Sequence, residues 1–461
     1  MTIARAMLLL FVLPQLAAAQ TVDTMALRAH TRFLSADALR GRGAGTPGER
    51  VAAEYIASEL MRMGVKPVAG SYFQHVPLKR ARISHARARF GGQNYGAHEF
   101  VWNTGGPRAF RAFSGPVTFV GAIDSTAVRR ADEARNHVVV LTGPMGAAAL
   151  TYVPALQRAG AAGVILAISD STLFQLFVRS RGEGRFFVDA NVNDPVWQAD
   201  LPVVIAGPEL ARRLIARDRF TTLPGQFSAE LEVAFEDAPA ANVVGIIPGN
   251  DPRLATQIVA FSAHYDHLGV SVPDARGDSI YNGFSDNAAG VAMLLTIADA
   301  LRKSPIARSV LLLFFTAEER GLLGSSFYAA YPVLPLQRMT ALINLDAGAP
   351  PAPPVSWRIA GGLGTSLGQV ARDVATANRW TADLTAATPN SDYWPFVQRG
   401  VPGIFIIPGN QWENTDAQQQ AALRLRWDRY HRADDEWHPD FPFSGLARYA
   451  EMALQVGKAA R

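Results

Sequence analysis

The chain contains no cysteine. Disulfides, thiolate metal sites and a cysteine nucleophile are therefore excluded together, and stability must rest on core packing or bound metal. Charge is sparse too, at 18% of residues against 49% hydrophobic, which excludes a disordered chain. Past the first residues no apolar run approaches the roughly 20 residues that a bilayer span takes. The motif H-E-x-x-H is missing: "HEFVW" at 98–102 lacks the second histidine, so a thermolysin-like site is excluded. There are no internal repeats, and "APPAPP" at 349–354 is the one low-complexity tract. Net charge is only +4. The basic cluster "LKRARISHARARF" at 78–90 lacks the interleaved aromatics that nucleic-acid stacking uses, so no nucleic-acid partner is expected. Its alternation predicts an edge strand protected by one charged face.

What is present begins with "MTIARAMLLLFVLPQLAAAQ". Arg5, the apolar run Met7 to Leu13 and the small residues Ala17 to Ala19 follow the order of a secretory signal peptide over 1–19. The run is too short for an anchor and Pro14 interrupts it. A secreted or periplasmic location is expected, with no stable membrane span after cleavage. The length of 461 residues suggests two to three domains. Residues 20–109 open with two helical patterns around the Gly-rich turn "GRGAGTPG"; the second places Val51, Tyr55, Ile56, Leu60 and Met63 near one face. From 110 to 236 come short β-rich runs, "PVTFVGAI", "HVVVLTGP", "AGVILAIS" and "LPVVIAGP", which read as a smaller separate module. From 237 to 461 the strands are continuous apolar runs, "QIVAFSA", "SVLLLFF", "TALINL" and "GIFIIP", alternating with helices such as "AAGVAMLLTIADALRK". That texture predicts an α/β domain whose mostly parallel sheet is covered on both sides.

The chemistry-bearing residues follow the strands. "QIVAFSA" runs into His264, Tyr265 and Asp266, "SVLLLFF" leads to Glu318 and Glu319, and "TALINL" leads to Asp346. Sites in open α/β sheets form at the carboxyl ends of strands, so these groups converge if the strands are neighbours. Asp286 stands at the start of an apolar helix and His431 sits in "DRYHRADDEW". Taken singly, each has an ordinary explanation: Asp286 as an N-cap, a histidine as a polar surface or core group, Glu318 and Glu319 as a solvated loop acid beside a helix-capping acid. His267 and His438 are read in that ordinary way. Together, nitrogen and oxygen donors without cysteine suit zinc, with manganese or cobalt as substitutes.

"AHYDHLG", "GFSDNAAG", "FFTAEERGLLGS", "INLDAG" and "YHRADDEW", in that order, resemble the M28 metallopeptidases. The resemblance implies a three-layer α/β/α peptidase domain with a mixed central sheet, and it likens the 110–236 module to an inserted protease-associated domain. It implies an aminopeptidase acting on peptides with two Zn2+ per chain. His264 and Asp346 would hold one ion, Glu319 and His431 the other, and Asp286 would bridge them. Glu318 would be the general base, Asp266 would orient His264, and Tyr430 would polarise the scissile carbonyl. "NSDYWPFVQRGVPGIF" at 390–405 is similar to a loop near the family's substrate pocket, which offers Tyr393, Trp394 and Phe396 as pocket residues. The same fold also serves glutaminyl cyclases and carboxypeptidases. Outside it, "GTSLG" at 364–368 offers Ser366 as a serine nucleophile with Asp392 and His431 following in order, although Ser366 also reads as a helix cap. A peptidase-like receptor ectodomain would show eroded donors, and none is eroded.

Overall fold

The computed structural model describes residues 22–96, 98–102, 112–143, 147–181, 185–190 and 201–460. The expected signal peptide lies outside them. No helix among the described residues is long and apolar enough to cross a membrane.

Two large sheets organise the chain. In the first, Ile258–His264 runs parallel to Ser309–Phe315 on one side and to Met339–Asn344 on the other. Gly403–Pro408 continues the parallel set beside Met339–Asn344. Antiparallel strands complete it, Ala240–Ile247 against Ser309–Phe315 and Ser356–Ala360 against Gly403–Pro408. The continuous apolar runs exist because both faces are covered. Val259, Phe261 and Ala263 join the core beneath the helices Thr24–Leu34, Pro47–Arg62, Ala289–Lys303 and Ser444–Ala459. Ile258 and Ala260 join the core on the opposite face, beside Leu323–Ala330. Successive strand residues point to opposite faces, so a sheet buried on both has no polar alternation to show. Each fully buried aliphatic or aromatic side chain contributes about 1.5–3 kcal/mol.

The helix Pro47–Arg62 starts at a Thr46 cap, whose hydroxyl accepts the Glu49 N–H, with Pro47 in its first turn. Ile56 and Leu60 are fully buried as the helical spacing predicts, but Val51 is 49% exposed and does not belong to the apolar face.

The second sheet runs Gln93–Gly96, Leu78–Phe90, Thr221–Asp237, Ala112–Gly121, Val138–Leu141, Gly163–Ala167, Val203–Ala206 and Phe100–Trp102. The four β-rich runs of the sequence are four of these strands. The sheet opens at Leu78, however, so the smaller module reaches back well before residue 110. The basic stretch 78–90 is also not an edge strand. It pairs with Thr221–Asp237 on one side and with Gln93–Gly96 and Arg185–Val188 on the other. Its cations oppose acids across the ladder, Lys79 facing Asp237, Arg80 facing Glu236 and Arg87 facing Glu230. Cross-strand pairing of opposite charge, rather than edge protection, accounts for the alternation.

Candidate metal centre

Strand register builds the site. His264 closes its strand directly opposite Phe315, and Ser262 faces Asn344 on the other neighbour. Two residues beyond Asn344 the chain reaches Asp346, whose Oδ1 lies 2.8 Å from His264 Nε2. Two residues beyond Phe315, Ala317 takes φ 53° and turns the chain sharply before the adjacent acids. The Asp266 carboxylate accepts both of their main-chain N–H groups, from Glu318 at 3.0 Å and from Glu319 at 3.3 Å. Asp266 also faces His264 Nδ1, with its main-chain oxygen 3.2 Å away and its nearer carboxylate oxygen at 3.6 Å. It therefore organises the acidic turn as well as the imidazole.

Asp286 does not cap a helix. It sits in the turn Phe284–Ala288, and the helix proper begins at Ala289 with no side-chain cap. Its two oxygens diverge: Oδ1 is 3.2 Å from His264 Nε2 and Oδ2 is 3.0 Å from His431 Nε2. Asp435 fixes this turn by accepting the N–H groups of Ser285 and Asp286. Two donor sets result. His264, Asp286 and Asp346 form one; Asp286, Glu319, His431 and His267 form the other, and within each set one ligand atom per residue lies within 4.8 Å of all the rest. All are nitrogen or oxygen donors, the mixture zinc takes, so the residues fit the ion that the sequence pattern implies. His267, read from the sequence as an ordinary histidine, is thus part of the site, with Nδ1 2.7 Å from Glu319 Oε1. Its place in "HYDH", three residues after His264, was the available signal.

Two residues from the N-terminal segment hold this assembly together. Arg42 is 1% exposed, and its guanidinium donates to the main-chain oxygens of Leu34, Tyr265, Asn282 and Gly283. It thereby ties the loop after His264 to the loop before Asp286. Burial lowers Arg42 to about 10, and the nearby acids Asp266, Asp286, Asp435 and Glu319 support its charge. Glu49 accepts from the Thr316 hydroxyl and the Gly45 N–H, and burial raises its carboxyl to about 8. Nothing in the Gly-rich turn "GRGAGTPG" marks these two residues as site supports, because their partners at the site, Tyr265, Asn282, Gly283 and Thr316, lie more than 200 residues away in sequence.

The electrostatics separate the acids. Burial pushes Glu318 well above the carboxylate range; His264 opposes this, and Asp346, Asp392 and Glu319 reinforce it. Burial would also raise Glu319, but hydrogen bonds from His267 and His431 bring it down to about 2. Asp286 is held well below its usual range because His264 and His431 outweigh its burial. Burial would lower His431, yet the hydrogen bonds to Asp286 and Glu319 raise it to about 10. The neighbours Glu318 and Glu319 are thus driven in opposite directions, the pattern that separates an acid–base group from a fixed anion.

A cleft of about 530 Å³ opens over His264, Asp286, Glu318 and Asp346, walled by Phe405, Ile407, Trp412, Trp427 and Tyr430. Tyr430 is 65% exposed and stacks on His431 with ring centroids 3.8 Å apart. The aromatic residues expected in the pocket are elsewhere. Tyr393 and Phe396 are fully buried, packed against Phe405 and against Phe315 and Tyr328, and Trp394 beside them does not line the cleft. Apolar residues in a loop with core on one side point inward, and the pocket wall comes from 405–430 instead. Nor is a serine triad assembled. Ser366 is an exposed first-turn residue of the helix Ser366–Ala377, and the cap is Thr365, which accepts the Gly368 N–H. Asp392 is wholly buried next to the donor sets, and His431 faces Asp286 and Glu319.

The match to known proteins covers the same region. The model of peptidase family M28 matches residues 242–456. "Probable leucine aminopeptidase 2" of Aspergillus fumigatus is 25% identical over 195 residues, 40% of this chain and 36% of that protein. Aminopeptidase YwaD of Bacillus subtilis is 28% identical over 210 residues, 42% of each chain. The chain thus matches less than half the length of these relatives. Among solved structures, the aminopeptidase from Aneurinibacillus sp. strain AM-1 superposes with a TM-score of 0.60 at 19% identity, covering 96% of this chain and 94% of its own. BSAP, a zinc aminopeptidase from Bacillus subtilis, does so with a TM-score of 0.56 at 19% identity over 95% and 94%. These likenesses establish the fold across both sheets, a mixed α/β architecture shared with zinc aminopeptidases. The stretch that matches the peptidase family M28 model, residues 242–456, is the stretch that carries both donor sets.

Proposed function

We propose that this chain is a two-ion metallo-aminopeptidase that releases the N-terminal residue of peptides. The observation that carries the reading is Asp286, whose oxygens face different imidazoles at 3.2 and 3.0 Å and so join the two donor sets. His264, Asp286 and Asp346 would hold one Zn2+, and Asp286, Glu319 and His431 the other. Two zinc ions bound there supply an acidic water and a Lewis acid for the scissile carbonyl. Glu318 belongs to neither set, is half-buried beside both, and has the raised proton affinity of a general base. It takes the proton of the attacking water and returns it to the departing amine. Asp266 fixes the direction of Glu318 through its main-chain N–H. Tyr430, at the cleft rim against His431, is the group placed to polarise the carbonyl. The relatives' names support the amino-terminal direction of cleavage.

We further propose that residues 1–19 export the chain to a periplasmic or extracellular compartment, and that the second sheet is a protease-associated module inserted into the peptidase domain. A carboxypeptidase is the second reading, favoured by Arg358 and Arg424 in the cleft lining. One assay separates these activities. A peptide is offered free, N-acetylated and C-amidated, with and without chelator. Chelator-sensitive loss of the first residue from the free and amidated forms alone is expected. Release from the C-terminus supports the carboxypeptidase, and chelator-insensitive cleavage overturns the metal-dependent reading.

A further inference from the structure

His267 stands among the donors of the second set, and it could serve there in two ways, as a ligand through Nδ1 or as a hydrogen-bond donor to a ligand. Its surroundings decide between them. The side chain is fully buried, and its main-chain N–H is held by the Arg42 carbonyl at 3.2 Å. Gly283 packs so closely on the ring that a Cβ there would come within 2.5 Å of His267 Cδ2. The ring therefore cannot swing away. Nδ1 is 2.7 Å from Glu319 Oε1, a short charge-assisted distance, but 3.8 Å from Asp286 Oδ2. Nε2 is buried with no hydrogen-bond partner. A neutral imidazole that gave its Nδ1 lone pair to an ion would carry its proton on Nε2, stranding a buried N–H donor. The other tautomer strands only a lone pair and satisfies Glu319, so it avoids the larger desolvation penalty.

We infer that His267 is a positioning residue for Glu319: its Nδ1–H holds Oε1 and leaves Oε2, 3.3 Å from His431 Nε2, as the one oxygen offered to an ion. Asp346 receives the corresponding service in the other set from the Ser391 hydroxyl, which donates to Oδ2 while Oδ1 faces His264. Each terminal carboxylate thus has one oxygen retained by the protein and one free. Partners of this kind orient ligands and set ion affinity. The inference rests on the two-ion reading for its effect on affinity, but not for the tautomer.

The test titrates metal-free protein with Zn2+ and Co2+, for wild type, H267A and H267N, and records nitrogen NMR of the zinc-loaded imidazoles. Wild type is expected to take up two ions. H267A is expected to lose about 10- to 100-fold in affinity for one of them and to keep the other unchanged. H267N, whose amide can still donate to Glu319, is expected to recover most of that loss. The imidazole signal absent from H267N is expected to show the Nδ1–H tautomer. An Nε2–H tautomer in the loaded protein makes His267 a ligand and overturns the inference. Unchanged affinity in H267A, equal loss of both ions, or an H267N as impaired as H267A also overturns it. Should H267A fail to fold, H267N and the tautomer still decide. Uptake of fewer than two ions by wild type instead defeats the two-ion reading, and the tautomer then judges His267 by itself.

Discussion

The two sheets of this protein treat polar side chains in opposite ways. Between residues 78 and 237, Thr118 is the only buried polar or charged side chain among the described residues, and it bonds to His137. Charges there stay at the surface and pair across strands, as Arg80 does with Glu236. The sheet built on Ile258–His264 buries Arg42, Glu49, His264, Asp266, His267, Asp286, Asp392 and Asp435 around one end of its parallel strands. Burying a charge costs several kcal/mol unless partners offset it, so a fold tolerates it where the group has a task. Two α/β sheets in one chain, with only one carrying such a cluster, locate the task without reference to any relative.

The contrast can be broken or sharpened by substitution, and the largest effect is expected at Glu318. E318Q should lower kcat by at least about 10³-fold while zinc content, read by elemental analysis, stays at the wild-type value. Loss of zinc would make Glu318 a ligand. Next in size is D286A, which removes the shared carboxylate and should abolish binding of both ions. Its thermal midpoint should then match that of chelator-treated wild type, because zinc held at 1,000 times its Kd stabilises by about 4 kcal/mol. R42M should destabilise the chain by at least about 3 kcal/mol in urea unfolding, since it strips a buried cation from four carbonyls.

A subtler effect is expected at Glu49. Its folded carboxyl is raised to about 8 from an ordinary 4.5, so between those values the folded chain keeps a proton that the unfolded chain releases. Stability from this group is complete below about pH 4.5 and is lost as pH rises through about 8, with a slope approaching about 1.4 kcal/mol per pH unit. E49Q should remove that slope, which unfolding of the metal-free proteins at several pH values will measure. The smallest effect belongs to the other sheet. R80A should leave turnover and metal content untouched, because the Arg80–Glu236 pair is only partly buried and belongs to the other sheet.

Much of this was legible in the sequence because it is local. A strand that ends in a histidine or an acid announces both its direction and its chemistry, and His264, Glu318, Glu319 and Asp346 needed only the rule that parallel strands present their carboxyl ends together. What escaped depends on distant partners. Arg42 acts through carbonyls at 265, 282 and 283, and no periodicity near residue 42 encodes them. The basic stretch 78–90 seemed an edge because its acidic partner strand lies some 150 residues on. Tyr393 and Phe396 carry the chemistry of a pocket and of a core equally well, and only packing distinguishes the two.

The Arg42 clamp and the position of His431 also set the order in which the site can assemble. The guanidinium that braces the site leaves the ribosome early, the donors from 264 to 346 follow, and the last imidazole arrives 85 residues after Asp346. A polypeptide interrupted anywhere short of residue 431 leaves Glu319 with a single imidazole, that of His267, and so lacks a complete second donor set. The second donor set is therefore the last part of the site to form as the chain is made, after the set of His264, Asp286 and Asp346 has all its members.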